Sequence, residues 1–262
     1  MRFIDGAMQF LSLGWAVFPL SPGSKLPAIS KKAGGQGVLD ASKDEAQIRE
    51  WARRFPRANI GIACGKISGI TVLDFDLKTG AMETIARFRS QKRLFNPTVT
   101  ARTPSGGWHL YYRYAPDLLN SKSLLGPGID VRTTGGYVVA PPSTLEDGKG
   151  YAWRMPPLGP DLPPMPTWAH MALKPKPQLA IKAAPTAGKD EAMDRLVRFV
   201  QGAQQGQRNS CLYWAARRAA EGGMTDDGSR LALAAAAGAI GIDEKEAMKS
   251  IGSAFRAGRR LA

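Results

Sequence analysis

Apolar and polar positions follow short, mixed rhythms over the first two thirds of the chain and a long helical rhythm over the last. Asp5 to Leu13 has helical spacing, and Trp15–Leu20 is a short β-rich run. A loop rich in Pro, Gly and Lys follows from Ser21 to Gly37. Ser42 and Glu45 make a capping-box pattern ahead of a helix whose Ile48, Trp51, Ala52 and Phe55 form one apolar face. Asn59–Ala63 and Ile70–Asp76 read as strands set apart by Gly65 and Gly69. A helix starts at Thr79 with Met82, Ile85 and Ala86 on a common face. Thr98–Arg102, Trp108–Tyr114, Gly128–Val131 and Tyr137–Ala140 are four further strands with turn residues between them. Strands this close together cannot all be parallel, because each parallel crossover needs a dozen or more residues. The pattern predicts an α+β fold, a mixed or antiparallel sheet flanked by helices.

Residues 174–189 mix Pro, Lys and Ala without apolar periodicity and read as an extended linker. Beyond them the chain is rich in Ala and Leu and nearly free of Pro, with helices expected near 190–202, 208–222, 226–238 and 243–257. The expected organisation is a larger mixed domain over 1–173, a linker over 174–189 and a small all-α domain over 190–262. No internal repeat is visible.

Composition changes this picture in one respect. The 262 residues carry 36 Lys and Arg against 22 Asp and Glu, a formal charge of +14. The surplus is spread along the chain, with 21 basic and 13 acidic residues in 1–173 and 15 and 9 in 174–262. A spread excess of this size favours a polyanionic partner, since neutralising phosphates releases condensed counterions; a merely solvated basic surface is the plain alternative. Cys64 and Cys211 are too far apart for a Cys-x-x-Cys pair, so neither a zinc ribbon nor a disulfide scaffold organises the fold. No apolar run approaches the roughly 20 residues of a membrane span, and Asp5, Gly6, Gly14 and Pro19 interrupt the N-terminal segment, which has no signal-peptide pattern. A cytoplasmic protein without a membrane partner is expected.

Three segments carry candidate chemistry. Asp74-Phe75-Asp76 ends an apolar strand, so both carboxylates share a face while Leu73, Phe75 and Leu77 take the other. Adjacent like charges there call for a cation, and hard divalent metals bound through oxygen supply one. Asp-x-Asp also occurs at solvated strand ends and in sugar transferases. Ser105-Gly106-Gly107-Trp108-His109 combines a glycine pair, which permits close backbone approach, with an imidazole able to meet phosphate oxygens; a structural histidine is the alternative. His170, in the Pro-rich run after Pro166, reads as structural. Gly128-Ile129-Asp130-Val131-Arg132 puts a third carboxylate and a guanidinium on one strand face, as either an internal salt bridge or a ligand and phosphate clamp. The glycines of Thr133-Thr134-Gly135-Gly136 read as a hairpin turn, with a nucleotide contact as a second reading.

The order and spacing of Gly14-Trp15-Ala16-Val17-Phe18-Pro19-Leu20, Gly23-Ser24-Lys25-Leu26-Pro27-Ala28, Asn59-Ile60-Gly61-Ile62-Ala63, Leu73-Asp74-Phe75-Asp76, Thr103–Tyr111 and Gly128–Arg132 through Pro141-Pro142-Ser143 closely resemble the prim-pol family. These are the bifunctional primase/polymerase domains of the archaeo-eukaryotic primase superfamily, found in plasmids, phages and prophages. The resemblance covers roughly residues 5–155. It implies that Asp74, Asp76 and Asp130 are catalytic and hold two Mg²⁺ or Mn²⁺ ions. It also implies that Ser105, Gly106, Gly107, His109, Arg132 and Lys25 meet the incoming nucleotide; for Lys25 a solvated loop lysine is the alternative.

Some relatives carry a zinc-binding stem, which two separated cysteines cannot build, so no zinc is expected. Many are fused to a helicase, and here a separate replicative helicase is expected instead. In the C-terminal helices Cys211, Leu212, Ala215, Ala216 and Ala219 form an apolar stripe, with Arg208, Arg217 and Arg218 as candidate DNA contacts and Arg256, Arg259 and Arg260 closing the chain. The resemblance thus implies a template-dependent nucleotidyltransferase that makes, and extends, primers on single-stranded DNA from NTPs or dNTPs. The rivals are a non-catalytic single-stranded-DNA-binding replication initiator with a primase-like fold and an Asp-x-Asp sugar transferase.

Overall fold

The structure is a computed structural model that describes residues 2–174 and 189–258. The chain divides into two compact units, Met1–Lys174 and Pro175–Ala262. Of the linker expected over 174–189, only Lys174 and Lys189 fall among the described residues.

The first unit contains two antiparallel sheets. One has three strands in the order β1 (Val17–Leu20), β2 (Asn59–Ala63) and β7 (Tyr137–Ala140). The other has five, in the order β6 (Ile129–Arg132), β3 (Ile70–Phe75), β5 (Trp108–Arg113), β4 (Thr100–Arg102) and β8 (Ala152–Met155). Every strand pair in both is antiparallel. Helices α1 (Phe3–Ser12), α2 (Glu45–Arg54), α3 (Ala81–Ser90) and α4 (Thr167–Leu173) complete the unit.

Strand alternation sends the two faces of the five-stranded sheet to different cores. Ile70, Val72, Ala101 and Tyr111 join a buried cluster with Val17, Phe18, Ile60, Ile62, Val138 and Val139 of the smaller sheet and with Phe3, Phe10, Ile48 and Trp51 of α1 and α2. Trp15 stacks on Tyr111 within that cluster, with centroids 5.4 Å apart. Leu73, Phe75, Tyr112, Ile129 and Val131 face the other way, against Ala81 and Phe88 of α3 and Ala169 and Leu173 of α4. β3, flanked by β5 and β6, is therefore buried on both sides and, apart from Thr71, whose hydroxyl accepts from Ala115 N at 3.1 Å, apolar up to its C-terminal end. There the face toward the smaller sheet changes from Val72 to Asp74.

Three expected details differ. α2 is capped by Asp44, whose Oδ1 accepts from Ala46 N at 2.9 Å. Ser42 is drawn away because its backbone bridges to Val17, and its hydroxyl accepts from Asp44 N instead. α3 turns Ala81, Thr84 and Phe88 inward and leaves Met82 exposed, since the Thr84 hydroxyl donates to Pro127 O at 2.8 Å. β8 and α4 are additional elements. β8 is an edge strand, largely exposed and without apolar alternation, and the seven-residue α4 emerges directly from Pro166.

The second unit consists of α5 (Lys189–Gln201), α6 (Arg208–Glu221), α7 (Asp227–Ala239) and α8 (Glu244–Gly258). The expected stripe on α6 is buried, and Leu212, Ala215, Ala216 and Ala219 pack with Leu196, Val200, Leu233, Ala237, Ile251 and Phe255. Asp226 caps α7 by accepting from Ser229 N at 2.8 Å. Arg259 and Arg260 lie outside the described residues. Among the described residues no helix is long and apolar enough to cross a membrane.

Candidate active site

Register on the central strand builds the site. Asp74 of β3 stands opposite His109 of β5 on one side and Asp130 of β6 on the other, so three polar side chains from distant segments share one face. Directly opposed carboxylates repel. Arg132, two residues along the same face of β6, answers that repulsion: its Nη2 is 2.9 Å from Asp130 Oδ2 and 3.9 Å from Asp74 Oδ2. Asp130 Oδ1 also accepts from Ser123 N at 3.1 Å.

A cavity of about 460 Å³ opens over this face. Asp74, Asp76, His109 and Arg132 line it, with Lys25, Thr103, Ser105, Asn120, Tyr137 and Tyr151 around them. Asp130 adjoins it through Arg132. Asp76 lies one residue past β3, and its Oδ1 accepts from Lys78 N at 3.0 Å, capping a single turn of 3₁₀ helix over Leu77–Thr79. Ser105 shares a hydrogen bond with Thr103 across 3.1 Å. Gly107 is required by close approach, because a β-carbon there would stand 1.9 Å from the carbonyl oxygen of Phe75. Lys25 is tethered through its backbone, its carbonyl accepting from the Tyr137 hydroxyl at 3.0 Å.

The electrostatics follow from burial. His109 is 4% exposed, and its Nε2 lies 3.5 Å from Asp74 Oδ1. Burial pulls its pKa below the usual imidazole value; Asp74 opposes the shift, and Lys25 and Arg132 reinforce it. Its Nδ1 has no hydrogen-bond partner, although the nearby backbone of Val139 weakly favours the charged ring. Asp130 moves the other way. Burial raises its pKa, and Arg132 and the Ser123 N–H offset only part of the rise. Cys64, buried nearby, is an unpaired thiol whose pKa burial pushes far up.

Among the described residues no group of three or more His, Cys, Asp and Glu side chains is gathered closely enough to hold a metal ion. Two observations explain this. Asp76 is engaged with the Lys78 N–H, and Arg132 occupies the space where the Asp74 and Asp130 carboxylates face each other. The donor set itself is hard oxygen on three carboxylates, two of them held opposite each other, and that chemistry fits Mg²⁺ or Mn²⁺.

The structure thus brings Lys25, Asp74, Asp76, Ser105, His109 and Arg132 to one cavity, with Asp130 beside it and Gly106 and Gly107 in the turn that carries Ser105. Arg208, Arg217 and Arg218 belong to the second unit. Arg208 Nη1 donates to Ile240 O at 2.5 Å at the end of α7, and Arg217 and Arg218 each pair with Glu221 at 3.1 Å. His170 is bound to Asp117 at 2.8 Å on α4, a structural contact. Sequence reasoning missed Asn120, Tyr151 and Ser123. None lies in a recognisable motif or in a strand; the isolated bridge between Ser121 and Val131 and the hydrogen bond from Tyr151 N to Ser143 O bring their segments to the site.

Residues 7–168 match the family model described as bifunctional DNA primase/polymerase, N-terminal, and the chain belongs to that family. Membership places it among the DNA primase/polymerases, nucleotidyltransferases whose substrates are DNA and nucleotides. No curated protein matches the chain.

Proposed function

We propose that the cavity is a nucleotidyl-transfer site that synthesises and extends primers on a single-stranded DNA template, in the replication of a plasmid, phage or prophage and with a separate helicase. The observation that carries this reading is the register of Asp74 between His109 and Asp130 on the face that lines the cavity. Asp74, Asp76 and Asp130 would hold two Mg²⁺ or Mn²⁺ ions. Such ions lower the pKa of an attacking 3′-hydroxyl and offset charge on the α-phosphate.

The rest of the work falls to neighbouring side chains. His109, whose burial favours the neutral ring, presents Nε2 beside Asp74, within reach of a phosphate oxygen in the cavity. The hydroxyls of Ser105 and Thr103 lie on the same wall. Arg132, which pairs with both carboxylates, would be available to the departing pyrophosphate if a cation took its place there. These groups hold the triphosphate in line with the attacking oxygen, and orientation of that kind lowers the barrier substantially.

Incubation of the full chain with a defined single-stranded template, labelled nucleotides and Mn²⁺ tests the reading. Template-dependent products are expected from the wild type and none from Asp74→Ala. Tight DNA binding without product from the wild type would overturn it in favour of a non-catalytic initiator.

A further inference from the structure

The link between β6 and β7 is a tight turn, Thr133–Gly136, closed by a hydrogen bond from Gly136 N to Thr133 O at 2.8 Å. Gly135 has φ +84°, the left-handed conformation that the third position of such a turn reserves for glycine. Gly135 and Gly136 line the cavity next to Arg132. Asn120, which lines it too, grips the turn with both ends of its amide. Its Oδ1 accepts from Thr133 N at 2.8 Å, and its Nδ2 donates to Thr134 O at 2.8 Å. A β-carbon on Gly136 would stand 2.5 Å from that Oδ1, so the glycine makes room for the amide.

The turn is held from other directions as well. The Thr134 hydroxyl donates to the Tyr114 hydroxyl at 3.2 Å and accepts from Lys66 N at 3.4 Å, and Cys64 N donates to Gly136 O at 2.9 Å. The carbonyls of Thr133, Thr134 and Gly136 are all engaged. The N–H groups of Thr134 and Gly135, by contrast, make no hydrogen bond among the described residues, and the buried Thr133 hydroxyl has no partner. Consecutive free N–H groups on a turn with a left-handed residue form a concavity suited to an anion. Arg132 and Lys25 stand in the same cavity; Lys66 meets the turn only through its backbone N–H.

We propose that the Thr133–Gly136 turn is a phosphate-binding subsite and that Asn120 is its positioning residue. The proposal rests on reading the cavity as a nucleotidyl-transfer site, and it concerns a wall to which that reading gives no role beyond Arg132. The ligand is a phosphate group, from either the triphosphate of the incoming nucleotide or a phosphodiester of the bound strand.

The test uses the full chain, with a deoxynucleoside triphosphate and a fluorescent oligo(dT) as separate probes. Asn120→Ala removes both hydrogen bonds to the turn without adding charge to the cavity. The dissociation constant for one probe is expected to rise about tenfold, the scale of one hydrogen bond to a charged group. Loss on the nucleotide arm assigns the subsite to the triphosphate, and loss on the oligonucleotide arm assigns it to the strand. Gly135→Ala disturbs the turn independently and is expected to weaken the same arm, which keeps the test alive if the Asn120 variant does not fold. Unchanged affinity for both probes in a folded variant overturns the proposal. Wild-type protein that binds both probes but yields no product would overturn the reading of the reaction and leave the subsite standing.

Discussion

Asp74 and Asp130 face each other directly across neighbouring antiparallel strands, and the guanidinium of Arg132 touches both, at 3.9 and 2.9 Å. The arrangement puts two like charges where a sheet ordinarily avoids them and holds them there with a third residue of the same strand face. Stability and the proposed chemistry are therefore coupled at this point.

Replacing Asp74 removes the carboxylate that both flanking strands address. Asp74→Ala is expected to lower nucleotide incorporation by about a thousandfold or more, as losses of central catalytic groups do. Far-ultraviolet circular dichroism should remain that of the wild type, because Asp74 contributes no apolar contact to either core.

Asp130→Asn should separate stability from activity. Burial raises the pKa of Asp130, so the folded state holds the proton more tightly than the unfolded chain does. The corresponding stability is present in acid and lost as the pH rises through the folded pKa. At pH 7 to 8, without divalent ions, the neutral amide is expected to raise the melting temperature by about 2–4 °C, which is ~1 kcal/mol in a unit of this size. Incorporation should fall severely. A lower melting temperature would show that the pairing with Arg132 outweighs the desolvation.

Acid stability has a separate source at α4. Burial alone would raise Asp117, but hydrogen bonds from Lys174 and His170 outweigh it and hold the carboxyl below its ordinary 3.8. A depressed carboxyl contributes stability that is present above the unfolded pKa and lost as the pH falls through the folded one. Thermal melts taken from pH 5 downward should show wild type losing stability more steeply than Asp117→Asn. Parallel curves would remove Asp117 from the account.

The packing beneath the site is open to the same kind of test. Leu73, fully buried between α3 and the sheet, is expected to cost about 2–5 kcal/mol when truncated to alanine, read from urea denaturation. Its neighbours Asp74 and Asp130 should then lose alignment, and incorporation should fall with stability.

Binding to single-stranded DNA should weaken steeply with salt. With a formal charge of +14 on the chain, several phosphates are neutralised on binding, and the slope of log K against log salt is about −0.7 for each of them. Fluorescence anisotropy of a labelled oligonucleotide across a salt series measures it. A flat response would mean that the basic surplus does not meet the strand.

Much of this was legible along the chain. The runs Asn59–Ala63 and Tyr137–Ala140 are apolar enough to announce buried strands, and period-two alternation alone puts Asp74 and Asp76 on the face away from Leu73 and Phe75. That Asp130 and His109 share a site with Asp74 came from the family resemblance; that they flank it on neighbouring strands did not, because pairing between distant strands leaves no local mark. Asn120 was illegible for a related reason: its partners are backbone atoms of a turn that begins 13 residues later. Ser42 misled because a capping pattern cannot reveal that the same serine is already engaged in an antiparallel bridge to Val17 of β1. β8 was hidden by its position at the sheet edge, where only Trp153 packs on the core and one inward residue makes no alternation.

The floor of the cavity belongs to paired strands, whereas its walls are carried by connecting segments: the loop bearing Lys25, the Thr103–Gly107 turn and the Thr133–Gly136 turn. Such a division lets evolution, or an engineer, rewrite what the pocket selects by editing three short stretches. The face that carries Asp74, His109 and Asp130 stays anchored in hydrogen-bonded ladders that those edits leave alone.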